Sequence, residues 1–109
     1  MLIDLTEFRQ RLKAIGYPVF QNGPPTGTAY PYFVYTFTNQ RKITAGGQHL
    51  AYLSEYQVSL FTSGTEADLK GFREAFVDVP YIDFVGQQGD ENDSTITNFY
   101  TYLRVLADE

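Results

Sequence analysis

Residues 52–62 read YLSEYQVSLFT. Tyr52, Ser54, Tyr56, Val58 and Leu60 alternate with Leu53, Glu55, Gln57, Ser59 and Phe61. A period of two, rich in aromatic and β-branched residues, predicts a strand with one buried face and one mostly polar face. Leu53 and Phe61 stand at the ends of the polar side. One strand is expected before this stretch and at least one after it, which puts it at the centre of a sheet. Ser63-Gly64-Thr65 then opens a helical pattern. Thr65 suits the cap and Asp68 the returning bond, and Leu69, Phe72 and Phe76 repeat at i, i+3 and i+7 beside Ala75. The spacing predicts a helix laid across Tyr56, Val58 and Leu60, ended by Pro80.

Upstream, Asp4 and Glu7 have capping-box spacing, and Leu5, Phe8, Leu12 and Ile15 form one apolar stripe. Gly16 and Pro18 stop that helix. Arg9, Arg11 and Lys13 read as a solvated face that complements the helix dipole. Tyr17–Phe20 is short and extended, and QNGPPTGTAY (21–30) is a loop. Pro31 opens a strand over Tyr32–Asn39, with Phe33, Tyr35 and Phe37 on one side and Val34, Thr36 and Thr38 on the other. Gln40–Ala51, QRKITAGGQHLA, reads as a long polar loop joining an antiparallel pair, with Gly46-Gly47 at its tip.

Downstream, Tyr81–Val85 is expected to be a short strand, Gly86–Ser94 an acidic loop, and Thr95–Leu106 a long strand. On that last strand Phe99, Leu103 and Val105 share a face with Thr97 and Thr101. Ile96, Tyr100, Tyr102, Arg104 and Leu106 share the other. The order α-(β)-β-β-α-β-β predicts an α+β, two-layer sandwich of a mainly antiparallel four- to five-stranded sheet and two helices, in a single domain over 1–109.

The chain has 109 residues and a net charge of −5, which disfavours general nucleic-acid affinity. It has no cysteine, so disulfides and thiolate metal sites are excluded. No apolar run is long enough to span a bilayer. The start, MLIDLTEF, has an acid where a secretory signal carries bases. Nine Tyr and nine Phe make up 17% of the chain. That exceeds what a small core holds comfortably, so rings are expected at the surface, and tyrosines there point to assembly.

No nucleophile stands with a base, and there is no phosphate-binding glycine loop and no HExxH. His49, the only histidine, lacks metal-ligand neighbours and a catalytic partner, and reads as a surface or strand-end residue. Asp90, Glu91, Asn92 and Asp93 resemble a calcium loop only superficially. Thr95 and Thr101 fall where that loop needs Gly and Glu. The paired carboxylates lie in polar segments that would not raise a pKa. No enzyme activity, catalytic residue, metal or cofactor is expected.

The amphipathic N-terminal helix (Leu5, Phe8, Leu12, Ile15) is followed by Tyr17-Pro18-Val19-Phe20 and Gly23-Pro24-Pro25. Tyr30-Pro31-Tyr32-Phe33-Val34, the polar hairpin, the strand ending Ser59-Leu60-Phe61, a helix and a closing pair of strands come next. In this order the chain resembles the small tail-terminator and head–tail joining (tail completion) proteins of long-tailed bacteriophages and prophages.

The resemblance implies a structural virion protein, assembled in the host cytoplasm. It would form a homo-oligomeric ring, expected to be hexameric, that caps the tail tube and connects it to the head. Its partners would be further copies of itself and the tail-tube and head-connector proteins. DNA would pass the acidic lumen without specific binding, and no membrane is involved. Assembly contacts are expected at Tyr100 and Tyr102, and in the 40–51 segment at Arg41, Lys42, Ile43 and His49. The alternative is a small soluble protein-binding module, monomeric or dimeric, with no virion role.

Overall fold

A computed structural model describes residues 2–107, with the backbone alone at Ala45, His49 and Leu50. Helix α1 (Leu5–Ala14) is followed by β1 (Val19–Gln21), β2 (Tyr32–Ala45) and β3 (Gln48–Thr62). A 3-10 turn (Glu66–Leu69) leads into α2 (Lys70–Ala75), then come β4 (Val85–Gln88) and β5 (Thr97–Leu106). The five strands form one sheet in the order β1-β2-β3-β5-β4, with only β1–β2 parallel. The fold is α+β, and β3 is its central strand.

Both helix starts follow the chemistry of their caps. Asp4 accepts from the Glu7 amide at 2.8 Å, and Thr65 accepts from the Ala67 amide. Asp68 does not return the bond to Thr65. Its carboxylate accepts at 2.7 Å from the hydroxyl of Thr62, which is itself buried and needs a partner. Gly16, with φ +109°, closes α1 in a conformation that side chains resist.

The core lies between the helices and one sheet face. Phe8, Leu12, Phe33, Val58, Leu60, Phe72, Phe76 and Val105 are fully enclosed there. Phe72 and Phe76 stack at 4.5 Å, and Phe8 meets Tyr35 edge-on at 5.5 Å. The two helices come together at Gly71, where an added Cβ would sit 2.7 Å from Ile15 Cγ2. Arg9 and Arg11 do not form a merely solvated face. Arg9 donates to the Tyr35 hydroxyl at 2.9 Å. Arg11 reaches Asp78 at 2.7 Å, Glu7 at 2.6 Å and the Ala75 carbonyl at 3.1 Å, fastening α1 to the end of α2. The guanidinium holds the Asp78 carboxyl below its usual range.

The aromatic excess is absorbed differently from the expectation. On the sheet face away from the helices, Tyr32 stacks between Tyr30 (5.2 Å) and Phe61 (5.3 Å), with Phe20 edge-on at 5.9 Å. Tyr30 also donates to Asp90 at 2.9 Å, tying the 21–31 loop to the acidic 89–96 turn. Among the described aromatic residues only Phe37 is exposed, at 48%.

Two segments read as loops are strands. Residues 40–51 continue β2 and β3 to a two-residue turn at Gly46-Gly47, whose φ values of +59° and +80° suit a tight hairpin. Gly86-Gln87-Gln88 belongs to β4, which pairs with Thr97–Tyr100, while Tyr81 makes a single bridge to Leu103. β5 begins at Thr97 rather than Thr95.

Candidate functional site

Beyond Thr38, β2 and β3 run on as an arm, residues 38–54, which β5 still flanks at Leu53 and Ser54 and which is two-stranded farther out. The arm contributes to a molecule 52 Å long and only 25 by 21 Å across. Its exit is built around Glu55. The Thr38 hydroxyl donates to Glu55 Oε1 at 2.7 Å, Asn39 Nδ2 donates to the same oxygen at 3.0 Å, and Arg104 Nε stands 3.7 Å from Oε2. The pairing register shifts at this point, between Phe37 and Asn39. Beyond it Gln40 bonds Ser54 across the ribbon at 3.1 Å.

The arm differs from the body in charge. The chain has eight basic and thirteen acidic side chains. Arg41 and Lys42 lie on the arm, and residues 38–54 contain no acid. The entire negative excess is therefore carried by the body.

Among the described residues, the sheet edge beside the arm's base carries no strand, only isolated attachments. β4 covers β5 only as far as Tyr100. Farther along, the Ile82 amide donates to the Tyr102 carbonyl at 3.3 Å, and the Leu106 amide donates to the Ile3 carbonyl at 2.9 Å. Between these two attachments lies a groove of about 540 Å³, walled by Leu2, Pro80, Tyr81 and Ile82 and floored by Tyr102, Leu103, Arg104 and Glu55. Leu2 and Ile82 are 46% and 56% exposed, so the groove wall is apolar and open to solvent. Asp83 follows Ile82 in the chain and is exposed, as is Asp4 after Ile3.

The sequence-derived assembly residues fall on two parts of this surface. Tyr100 and Tyr102 are half-buried on the open sheet face, their rings edge-on at 6.2 Å. Tyr102 also floors the groove. Arg41 pairs with Leu53 and Ile43 with Ala51, which continues that open face along the arm. Lys42 pairs with Tyr52 and lies on the opposite side. His49 is opposite Thr44 near the tip, and its side chain is outside the described residues. Sequence reasoning missed the groove, whose only local signal was the exposed apolar pair Leu2 and Ile82.

The acidic 89–96 turn spends its oxygens internally. Asp90 accepts from Tyr30 and from the Asn92 amide, and Asp93 accepts from the amide and hydroxyl of Thr95. Those bonds to Thr95 hold the Asp93 carboxyl below its usual range. Among the described residues no group of three His, Cys, Asp or Glu could hold a metal ion, and no helix is long and apolar enough to cross a membrane.

No protein-family model matches the chain, and no curated protein matches it. Among solved structures it is similar to a chain in the virion of a native gene transfer agent (GTA) particle. The two are 14% identical, with 90% of each chain covered and a TM-score of 0.54. At that identity the likeness is one of fold.

Proposed function

We propose that this chain is a structural, non-catalytic virion protein, a ring subunit that ends the tail tube and joins it to the head. The observation that carries this reading is the fold likeness to a virion component, which runs through 90% of both chains. The surface chemistry agrees with it. An outstretched basic arm and a partly apolar groove at the sheet edge are what a subunit needs to engage neighbours, and an acidic body lets DNA pass without adhering. Tyr100, Tyr102 and the arm carry the assembly contacts, and the free protein gathers in the host cytoplasm before joining the virion.

Light scattering over a concentration series, followed by electron microscopy, tests the reading. A closed ring, expected with six subunits, supports it. Changing Tyr100→Ser together with Tyr102→Ser should then weaken the ring and block head–tail joining; unchanged assembly and joining would remove the tyrosines from the interface. A second reading, a small protein-binding module without a virion role, is favoured by the groove alone. A monomer or fixed dimer that never closes into a ring, even on purified tail tubes, would turn the choice to it.

A further inference from the structure

We infer that the groove at the β5 edge receives the arm of a second copy of this chain. The inference rests on the ring reading above and names the contact that would build it. Three observations converge on this occupant.

The first is charge. The arm brings Arg41 and Lys42 with no acid among residues 38–54. In the groove lining Glu55 pairs with Arg104, Asp83 beside Ile82 is exposed, and the body carries thirteen acids against six bases. A basic ribbon meets an acidic body, the arrangement that steers and orders association.

The second is the state of the arm. Beyond Leu53 it is a two-stranded ribbon without a helix on either face, and such ribbons are marginal in water on their own. Ile43 and Ala51, both half-covered, lie on the sheet face that carries Tyr102, so the ribbon offers apolar side chains on that face.

The third is reach. The tip is roughly 25 Å from Glu55, at about 3.4 Å per residue. The arm cannot fold back to its own base without breaking the β2–β3 pairing, so an arm that fills the groove comes from another copy. An arm-to-groove contact joins unlike surfaces. It is therefore heterologous, and it closes into a ring or continues as a filament according to the rotation per subunit.

The absence of native cysteine makes the test direct. Chains carrying Ile43→Cys on the arm are mixed with chains carrying Ile82→Cys in the groove, and oxidised mildly. The expected result is a disulfide-linked dimer formed at least tenfold more than in a mixture of Ile43→Cys with Val77→Cys, an exposed site on the α2 side. Arg41→Glu with Lys42→Glu on the arm partner should abolish the link, and Asp83→Lys on the groove partner should restore part of it. No preferential link to Ile82→Cys overturns the inference, whatever the assembly state. A closed ring without the link leaves the ring reading standing and the arm contact wrong. A link confined to open chains leaves the contact standing and the ring reading wrong.

Discussion

The two ends of the β2–β3 pair are built from the same strands and live in different environments. In the body, Phe33, Val58 and Leu60 are fully buried beneath α1 and α2. In the arm, Gln40, Arg41, Lys42 and Thr44 are exposed, Ile43, Ala51, Tyr52 and Leu53 are half-covered, and only Ser54, at its base, is buried among the described residues. Backbone pairing continues across the boundary, so hydrogen bonding alone does not decide which end is stable. Packing of one face against helices supplies the difference. The body is held by packing, and the arm by its own ladder.

The comparison breaks most visibly at its buried end. Phe72→Ala should cost about 3–5 kcal/mol in denaturant unfolding, because it empties a site stacked on Phe76 and packed against Phe84 and Tyr81. A loss below about 1 kcal/mol would mean the site collapses around the gap. Gly71→Ala should cost about 1–3 kcal/mol by driving a methyl into Ile15. At the other end, Gly47→Ala strains a residue at φ +80° by about 1–2 kcal/mol. Hydrogen exchange should show that loss in the arm amides alone, with the core amides still protected. Loss of protection throughout the sheet would show that arm and body unfold as one unit.

Arg41→Glu with Lys42→Glu should move unfolding stability by no more than about 0.5 kcal/mol, as for exposed sites, while oligomerisation falls sharply. A large stability loss would place those side chains in the body's energetics and erase the distinction. The smallest effect belongs to the tie between Tyr30 and Asp90. The hydrogen bond to Asp90 raises the Tyr30 phenol to about 12 from an ordinary 10.0. Its stabilisation is present in full below about pH 10 and disappears as pH rises through 12, since the unfolded phenol ionises first. Phenolate absorbance should show one late-titrating tyrosine that vanishes in Tyr30→Phe.

The body was legible in the sequence because its chemistry is periodic. Residues 52–62, the stripe of α1 and the Leu69, Phe72 and Phe76 spacing each name a face. Ser54, Tyr56, Val58 and Leu60, Phe8 with Leu12, and the three α2-side residues are buried on them. Tyr52, Leu5 and Ile15 are half-buried, and Ser59 is buried on the face read as polar. The α+β class followed from their order. The arm was not legible. Its apolar residues, Ile43 and Ala51 among them, are isolated between polar and glycine positions, so residues 40–51 give no sustained alternation to distinguish strand from loop. β4 hid for a related reason, since Gly86-Gln87-Gln88 are poor strand formers held by pairing with β5. Thr62 captured Asp68 because a buried hydroxyl competes for a carboxylate, which residue spacing cannot reveal. The groove draws on Leu2, Glu55, Pro80 to Ile82 and Tyr102 to Arg104, parts distant in the chain and unremarkable one at a time.

The register shift at Thr38 sets which side of the arm each β2 residue faces. Side chains on a strand alternate, so one extra residue exchanges every later position between the two faces. With Thr38 in place, Arg41 aligns with Leu53 and Lys42 with Tyr52. Were Thr38 paired with Glu55 in an unbroken ladder, Gln40 would align with Leu53 and Arg41 with Tyr52. The ribbon would keep its length, composition and charge, and its β2 side chains would present the reverse side. A single residue thus acts as the arm's polarity marker, and a neighbour that reads one side would meet the wrong one.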